Sequence, residues 1–346
     1  MAALKRLVDR LAAERCLPDA DMLALLACGD GDVLSHLFAR ARAAREAVYG
    51  RDVYIRGLIE FTNFCKNDCL YCGIRRSNAR ACRYRLSEEE ILACAEAGYR
   101  MGFRTVVLQG GEDPKVPLVD IVGALRTRFP DCAITVSAGE LPRKVYQQLF
   151  DAGADRYLLR HETADPHHYG KLHPASMSLE ERKACLFALR DIGFQVGSGF
   201  LVGAPGQTSE TMAANLAFLH ELDPHMIGIG PFIPHSSTPL TSKPAGTMEE
   251  TLFLLACLRL AHPRALLPAT TALATIDPQG RMAGLEAGAN VIMPNLTPAS
   301  YRGDYALYNN KLATGLEAAE QHGKLEAALA AQGYSVKSSR GDSLVV

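Results

Sequence analysis

Eight short β-prone runs, each followed by a stretch with helical signals, constrain this chain more than any other feature. They are "RGLIEFTN" (56–63), "RTVVLQG" (104–110), "AITVSAG" (133–139), "DRYLLRH" (155–161), "QVGSGFLVG" (195–203), "HMIGIGPF" (225–232), "LPATTAL" (267–273) and "ANVIMPN" (289–295). Between them, Ser87 with Glu90, Ser178 with Glu181 and Thr247 with Glu250 have the spacing of a capping box, in which hydroxyl and carboxylate satisfy reciprocal backbone N–H groups. Strand and helix alternating eight times call for parallel pairing through right-handed crossovers, and eight such units close into a barrel. The expected fold is α/β: a complete (β/α)8 TIM-type barrel over 51–310, with a helical extension over 1–50 and a C-terminal helical tail over 311–346, its helix spanning about 313–332. A doubly wound open sheet is the competing arrangement.

With 346 residues, 48% of them hydrophobic, the chain buries a large core. Its 37 Lys and Arg balance 38 Asp and Glu, which provides no broad field for nucleic acid or an anionic membrane. A small ligand or a local protein patch is expected instead. No apolar stretch reaches transmembrane length and the first residues lack a secretory pattern, so a cytoplasmic location is expected. In that compartment ten cysteines stay reduced, and a cluster of them points to metal or catalytic use.

Such a cluster follows the first β-prone run. "FCKNDCLYCG" (64–73) places Cys65, Cys69 and Cys72 in eight residues, with Tyr71 against the third. Reactive groups of a parallel barrel sit where strands end and loops begin, which is where these thiols fall. The C-x3-C-x2-C spacing departs from the paired knuckles of structural zinc, and no fourth Cys or His stands at a matching distance. Three thiolates hold three corners of a 4Fe-4S cluster and leave one iron open. The residues alone leave a zinc with a distant fourth ligand, or plain thiols, as alternatives. Cys82 falls just before a helix start. Cys94, Cys132, Cys185 and Cys257 lie in apolar contexts that suit inert thiols.

"CKNDCLYC" matches the signature of the radical S-adenosylmethionine (SAM) enzymes. The resemblance implies an open iron that chelates the methionine part of SAM, and one-electron cleavage that yields a 5′-deoxyadenosyl radical. "QGGED" resembles the superfamily's glycine motif, and Gln109, Gly110, Gly111 and Glu112 become candidate cosubstrate contacts with Tyr71. "GAPGQT" (203–208) resembles a turn found near the adenosine. "LLRHET" supplies Arg160 and Glu162, two apart and facing one side of an extended chain. Arg182, just inside the following helix, suits the cosubstrate carboxylate.

From "IEFTNFCKNDCLYCGIRR" to "GANVIMPNLTPASYRGDYALY", over about residues 50–325, the chain resembles the HydE family of FeFe-hydrogenase maturases. That resemblance implies a closed cavity, one 4Fe-4S cluster and SAM as cofactors, and a small organometallic or thiol-bearing substrate. It implies other hydrogenase maturases and a reducing electron donor as partners. It adds Ser137 and Tyr305 to the cosubstrate contacts and names Thr135, Thr270, Thr271, Met293 and Tyr308 as substrate contacts. Gly110 stands where that family often has serine and Leu296 where tryptophan is common, so the resemblance does not carry over the details of the cavity's shape. No cysteine follows Cys257, which leaves none for an auxiliary C-terminal cluster. Two other readings are a mutase resembling methylornithine synthase and a non-catalytic iron–sulfur scaffold. Five arginines in "RRSNARACRYR" (75–85) form either a solvated approach or a docking patch.

Overall fold

Parallel pairing dominates the chain, as the alternating pattern predicts. The computed structural model describes residues 1–312 and 318–345. Its strands in chain order are β1 (Asp52–Ile55), β2 (Gly57–Thr62), β3 (Thr105–Gly110), β4 (Ala133–Ser137), β5 (Arg156–Leu158), β6 (Gln195–Ser198), β7 (Leu201–Val202), β8 (Met226–Ile227), β9 (Gly230–Pro231), β10 (Val291–Ile292) and β11 (Ser335–Lys337). Six of them form one parallel sheet, β2-β3-β4-β5-β6-β8. Ile59, Leu108, Val136 and Tyr157 are buried along it, as expected where helices cover one face and a barrel-like interior the other. Beyond β8 regular pairing thins to the two-residue ladder of β10 on β1. Single parallel bridges, Met226 to Leu266, Pro268 to Val291 and Asn295 to Leu58, run from the last strand of the sheet back to its first.

Three of the eight expected runs differ from a single continuous strand. The fifth and sixth each split in two, into β6 with β7 and β8 with β9, which pair separately. At the split, a side chain on Gly199 would stand 1.9 Å from the carbonyl oxygen of Gly228, so the two chains approach closely there. The seventh run forms no strand. Pro268 has no N–H to donate, and a helix starts at Thr271 with Thr270 as its N-cap.

Capping chemistry marks the helix starts as read. Ser87 with Glu90 and Thr247 with Glu250 make full capping boxes on Glu88–Arg100 and Met248–Ala261. At Ser178 the hydroxyl accepts from the Glu181 N–H at 3.0 Å, half of the expected exchange. At the N-terminus, helices Ala2–Glu14, Asp19–Leu26 and Gly31–Tyr49 bury Val8, Leu11, Leu25, Val33 and Leu37 against Leu254 and Leu258 of the Met248–Ala261 helix. No single helix among the described residues is long and apolar enough to cross a membrane.

The C-terminal helix appears as Ala318–Ala331, and residues 313–317 of the expected span lie outside the described residues. After this helix comes a strand that no sequence pattern announces. It is β11, which adds to β1, itself also paired with β10. The chain then runs under the N-terminal end of the sheet, where Arg156 donates at 2.6 Å to both the Arg340 carbonyl and the Asp342 carboxylate.

Candidate functional site

The loop after β2 is built by short polar side chains. Asn63 donates to the carbonyls of Cys82 (2.7 Å) and Asp304 (2.8 Å) and accepts from the Tyr84 N–H. Asp68 accepts from Arg75 at 2.7 Å and from the Ser77 hydroxyl at 2.6 Å, and the Arg75 guanidinium holds its carboxyl below the usual range. Arg83 donates to the carbonyls of Asn63, Ile74 and Arg75, while Arg85 pairs with Asp113 and covers the Phe64 ring at 3.7 Å. Arg75 and Arg83 of the arginine-rich stretch are therefore internal scaffolding, while Arg76, Arg80 and Arg85 are exposed, the last of them paired with Asp113.

This scaffold holds Cys65, Cys69 and Cys72 on the wall of a cavity of about 350 Å³ at the C-terminal ends of the strands. Burial pushes all three thiols up, Cys72 to about 12, and their mutual repulsion raises Cys69 and Cys72 further. Glycines bring the neighbouring loops close. A side chain on Gly111 would lie 2.1 Å from the Phe64 carbonyl and 2.8 Å from Cys65 Cβ; one on Gly73 would lie 2.1 Å from the Ala306 carbonyl. Among the described residues no three Cys, His, Asp or Glu side chains surround a single-ion position. A cube does not need that arrangement, because each thiolate takes a different iron. Three thiols converging on one cavity, with glycines opposite them, fit an iron–sulfur cluster better than a mononuclear metal. Cys82 is exposed and absent from the cavity wall; Cys94, Cys132 and Cys257 are buried elsewhere.

Tyr71 packs edge-on to His173 at 5.5 Å, and His173 stacks on Tyr169 at 3.8 Å. The aromatic before the third cysteine thus anchors the loop to the Pro166–Leu172 helix, with the Leu70 N–H donating to the Leu172 carbonyl at 2.8 Å. Burial lowers His173 to about 3.

Gln109, Gly110, Gly111, Glu112, Ser137, Arg160, Glu162, Arg182, Thr270, Thr271, Met293, Tyr305 and Tyr308 line the same cavity as the thiols. Glu112 accepts from the Glu140 N–H at 2.9 Å and meets Lys66 at 3.1 Å. Gln109 donates to the Tyr305 hydroxyl at 3.3 Å. Arg160 and Glu162 do share a side, but not on extended backbone: Glu162 has φ 64°, a left-handed conformation rare for glutamate. Arg160 Nη2 stands 3.1 Å from Glu162 Oε2, close enough for an ion pair yet misaligned for a hydrogen bond, so both atoms keep bonding capacity. Burial pushes the Glu162 carboxyl up against the pull of Arg160 and Arg182. Arg182 is engaged too, with Glu140 and, at 2.9 Å, with the Arg160 carbonyl.

Two expectations fall outside this cavity. Thr135 shares a strand face with Ser137 but lies one layer deeper, on a separate cavity of about 10 Å³ beside Arg56 and Arg156. The "GAPGQT" turn is held by Gln207, which accepts from the Gly203 N–H at 2.6 Å and donates to the Leu201 carbonyl at 2.8 Å; its residues face an outer groove. Leu296 is likewise absent from the wall. It wedges between β2 and the Glu88–Arg100 helix, where side chains on Gly57 or Gly98 would strike it at 2.4 and 2.5 Å.

Three charged wall residues escape a reading of the sequence: Glu60, Lys311 and Arg281. Glu60 is fully buried, 2.5 Å from Lys311 Nζ and 2.9 Å from Asn295 Nδ2. The one available signal is an acid inside the apolar run "LIEF", a charge that needs a partner once buried.

The model of the radical SAM superfamily matches residues 59–219. The HydE subunit of the FeFe hydrogenase maturase from Thermotoga maritima is 47% identical over 279 residues, covering 80% of this chain and 79% of that one. A 3-methylornithine synthase from Methanosarcina acetivorans is 30% identical over 314 residues, covering 89% and 88%. Among solved structures, methylornithine synthase aligns with a TM-score of 0.80 at 26% identity, over 96% of this chain and 97% of that one. The maturase HydG aligns at 0.83 and 21% identity over 97% and 76%, a likeness of fold.

Proposed function

This chain belongs to the radical SAM superfamily and, within it, to the HydE family; from that premise we propose that it is a maturase acting in assembly of the diiron subcluster of FeFe hydrogenase, including its dithiomethylamine ligand. The observation that carries the reading is that Cys65, Cys69 and Cys72 line one cavity, with Gly111 packed against their loop.

Cys65, Cys69 and Cys72 would hold one 4Fe-4S cluster. Glu112, Glu162 and Arg182 would face the charged ends of SAM, and Gln109, Gly110, Ser137 and Tyr305 its remaining surface. When bound, cluster and cosubstrate supply a 5′-deoxyadenosyl radical. The chain's own part is to orient the substrate and exclude water. We read the three single bridges as closing the six-stranded sheet into a complete eight-membered barrel over 51–310, with 1–50 and 311–346 as appendages. The substrate would be an iron, carbonyl, cyanide and cysteine complex delivered by a partner maturase in the cytoplasm, its sulfur attacked by the radical. A reducing protein donor would supply the electron.

Anaerobic reconstitution tests this directly. The reduced protein should show a 4Fe-4S spectrum that changes when SAM is added and should release 5′-deoxyadenosine; Cys72→Ser should reduce that release to background. The chain should restore hydrogenase maturation in an extract lacking HydE. The likeness to methylornithine synthase motivates a second reading, which gains if lysine is converted to methylornithine. A cluster insensitive to SAM would favour a scaffold.

A further inference from the structure

Three carboxylates and four cations line the main cavity, and six of these seven charges have an opposite charge at hand. Lys311 meets Glu60, Lys66 meets Glu112 from outside, Arg160 meets Glu162, and Arg182 meets Glu140. The seventh, Arg281, has neither an ion pair nor a hydrogen bond among the described residues. Arg281 is half-buried and its nitrogens are open to the cavity, so its five donors are available to an acceptor that enters there. On the same wall the Thr270 hydroxyl is buried and has no hydrogen-bond partner. Gly230 leaves room for it, since a side chain there would stand 2.9 Å from Thr270 Oγ1.

Position separates this wall from the thiols. Arg281 lies on the Gly280–Glu286 helix, and a side chain on Gly280 would stand 2.2 Å from the Leu273 carbonyl of the helix that Thr270 caps. The thiols sit on the loop after β2, and Arg182 is on the Leu179–Ile192 helix.

We propose that Arg281, with Thr270 on the same wall, anchors a carboxylate of the substrate and selects anionic over neutral thiol-derived molecules. A planar guanidinium suits bidentate carboxylate binding, and a hydroxyl adds a donor to the same group. The proposal rests on the reading of this cavity as the active site and narrows its substrate to molecules that carry a negative charge away from the reacting sulfur.

The test is equilibrium binding to the full-length, cluster-reconstituted protein with SAM present, using S-methyl-L-cysteine and its carboxamide as probes. The unaltered protein should prefer the carboxylate by about 100-fold, the scale of a hydrogen bond to a charged group. Arg281→Gln should abolish that preference by weakening the carboxylate alone, and Arg281→Lys should restore part of it as a point charge without the fork. Equal binding of the two probes by the unaltered protein, binding of neither, or parallel loss of both in Arg281→Gln would overturn the proposal. Binding is read without turnover, so failure to release 5′-deoxyadenosine would remove the catalytic assignment and leave this result interpretable.

Discussion

The two sides of the cavity are held in place differently. From β2 to β8, successive strands share hydrogen-bonded ladders, and the backbone fixes the ends from which Cys65, Gly111, Ser137 and Arg160 follow. From Leu266 to Leu296 the chain has one two-residue ladder, β10 on β1, and otherwise single bridges, and polar side chains add to them. Arg259, fully buried, donates to the carbonyls of Gly288 (2.8 Å), Pro263 (2.8 Å) and Ala265 (2.9 Å) and to Asn290 Oδ1 (3.1 Å). Asn290 Oδ1 also accepts from the Leu267 N–H at 2.9 Å. A ladder tolerates side-chain change because its bonds are main chain, whereas a tethered segment depends on a few residues. The proposed cofactor side thus rests on the robust construction, and the wall carrying Thr270 and Met293 rests on the adjustable one.

The largest effect expected from breaking this contrast is at Arg259. Arg259→Met keeps much of the volume but takes the guanidinium donor from the Gly288, Pro263 and Ala265 carbonyls, and destabilisation of about 3–5 kcal/mol is expected, read as a lower urea midpoint. Hydrogen exchange should show where. Amides at 265–269 and 288–292 should lose protection while 105–110 keep theirs. Uniform loss across both sets would erase the distinction between ladder and tether.

The same contrast explains what is legible in the sequence. Ladder strands have apolar runs bounded by turn residues, and their helices start with capping hydroxyls, so runs one to four and the caps at Ser87 and Thr247 can be read directly. The cysteine motif is legible because its spacing is a ligand pattern independent of the fold. Run seven reads wrongly as a strand because the β-prone residues around Pro268 carry no mark of the missing N–H partner or of the helix at Thr271. β1 and β11 are short and pair across most of the chain, with no local signal. Thr135 reads as part of the site because period-two alternation gives the face of a residue but not its depth. The tethering side chains, Arg259 and Asn290, become visible only when the carbonyls they serve are brought together.

A smaller effect tests the seam between the two sides. Glu60 belongs to β2, on the ladder, yet binds Lys311 and Asn295 from the tethered side, and its own N–H donates to Thr297 Oγ1 at 2.8 Å. Glu60→Gln leaves the Lys311 ammonium nearly buried without its anion, 5.0 Å above the Tyr305 ring, and a loss of about 3 kcal/mol is expected, at the lower end for breaking a buried pair. Adding Lys311→Met should recover part of it, because the stranded charge is then gone. A double variant no better than Glu60→Gln alone would show that the seam is held by Asn295 and Thr297 and not by the ion pair.

The mildest perturbation is acid, and it addresses the ladder side through His161. This imidazole is buried between Phe200 and Phe218, with ring centroids at 5.9 and 4.9 Å, and its Nδ1 lies 2.9 Å from the Ser198 hydroxyl on β6. Burial first, then the Arg160 charge, lowers its pKa from an ordinary 6.5 to about 3. Between those values the unfolded chain binds a proton that the folded chain refuses. Stability therefore falls as pH drops from 6.5 towards 3, with a slope of up to about 1.4 kcal/mol per pH unit from this residue. His173, lowered to about 3 by burial in the same way, contributes a similar slope. Replacing His161 by Asn should therefore flatten the pH dependence of the urea midpoint in that window by about half of the two histidines' combined share, while lowering stability near pH 7 through the altered contact with Ser198. An unchanged slope would mean that His161 is protonated in the folded state, and that the strand ends around β5 and β6 admit charge as readily as the tethered wall does at Arg281.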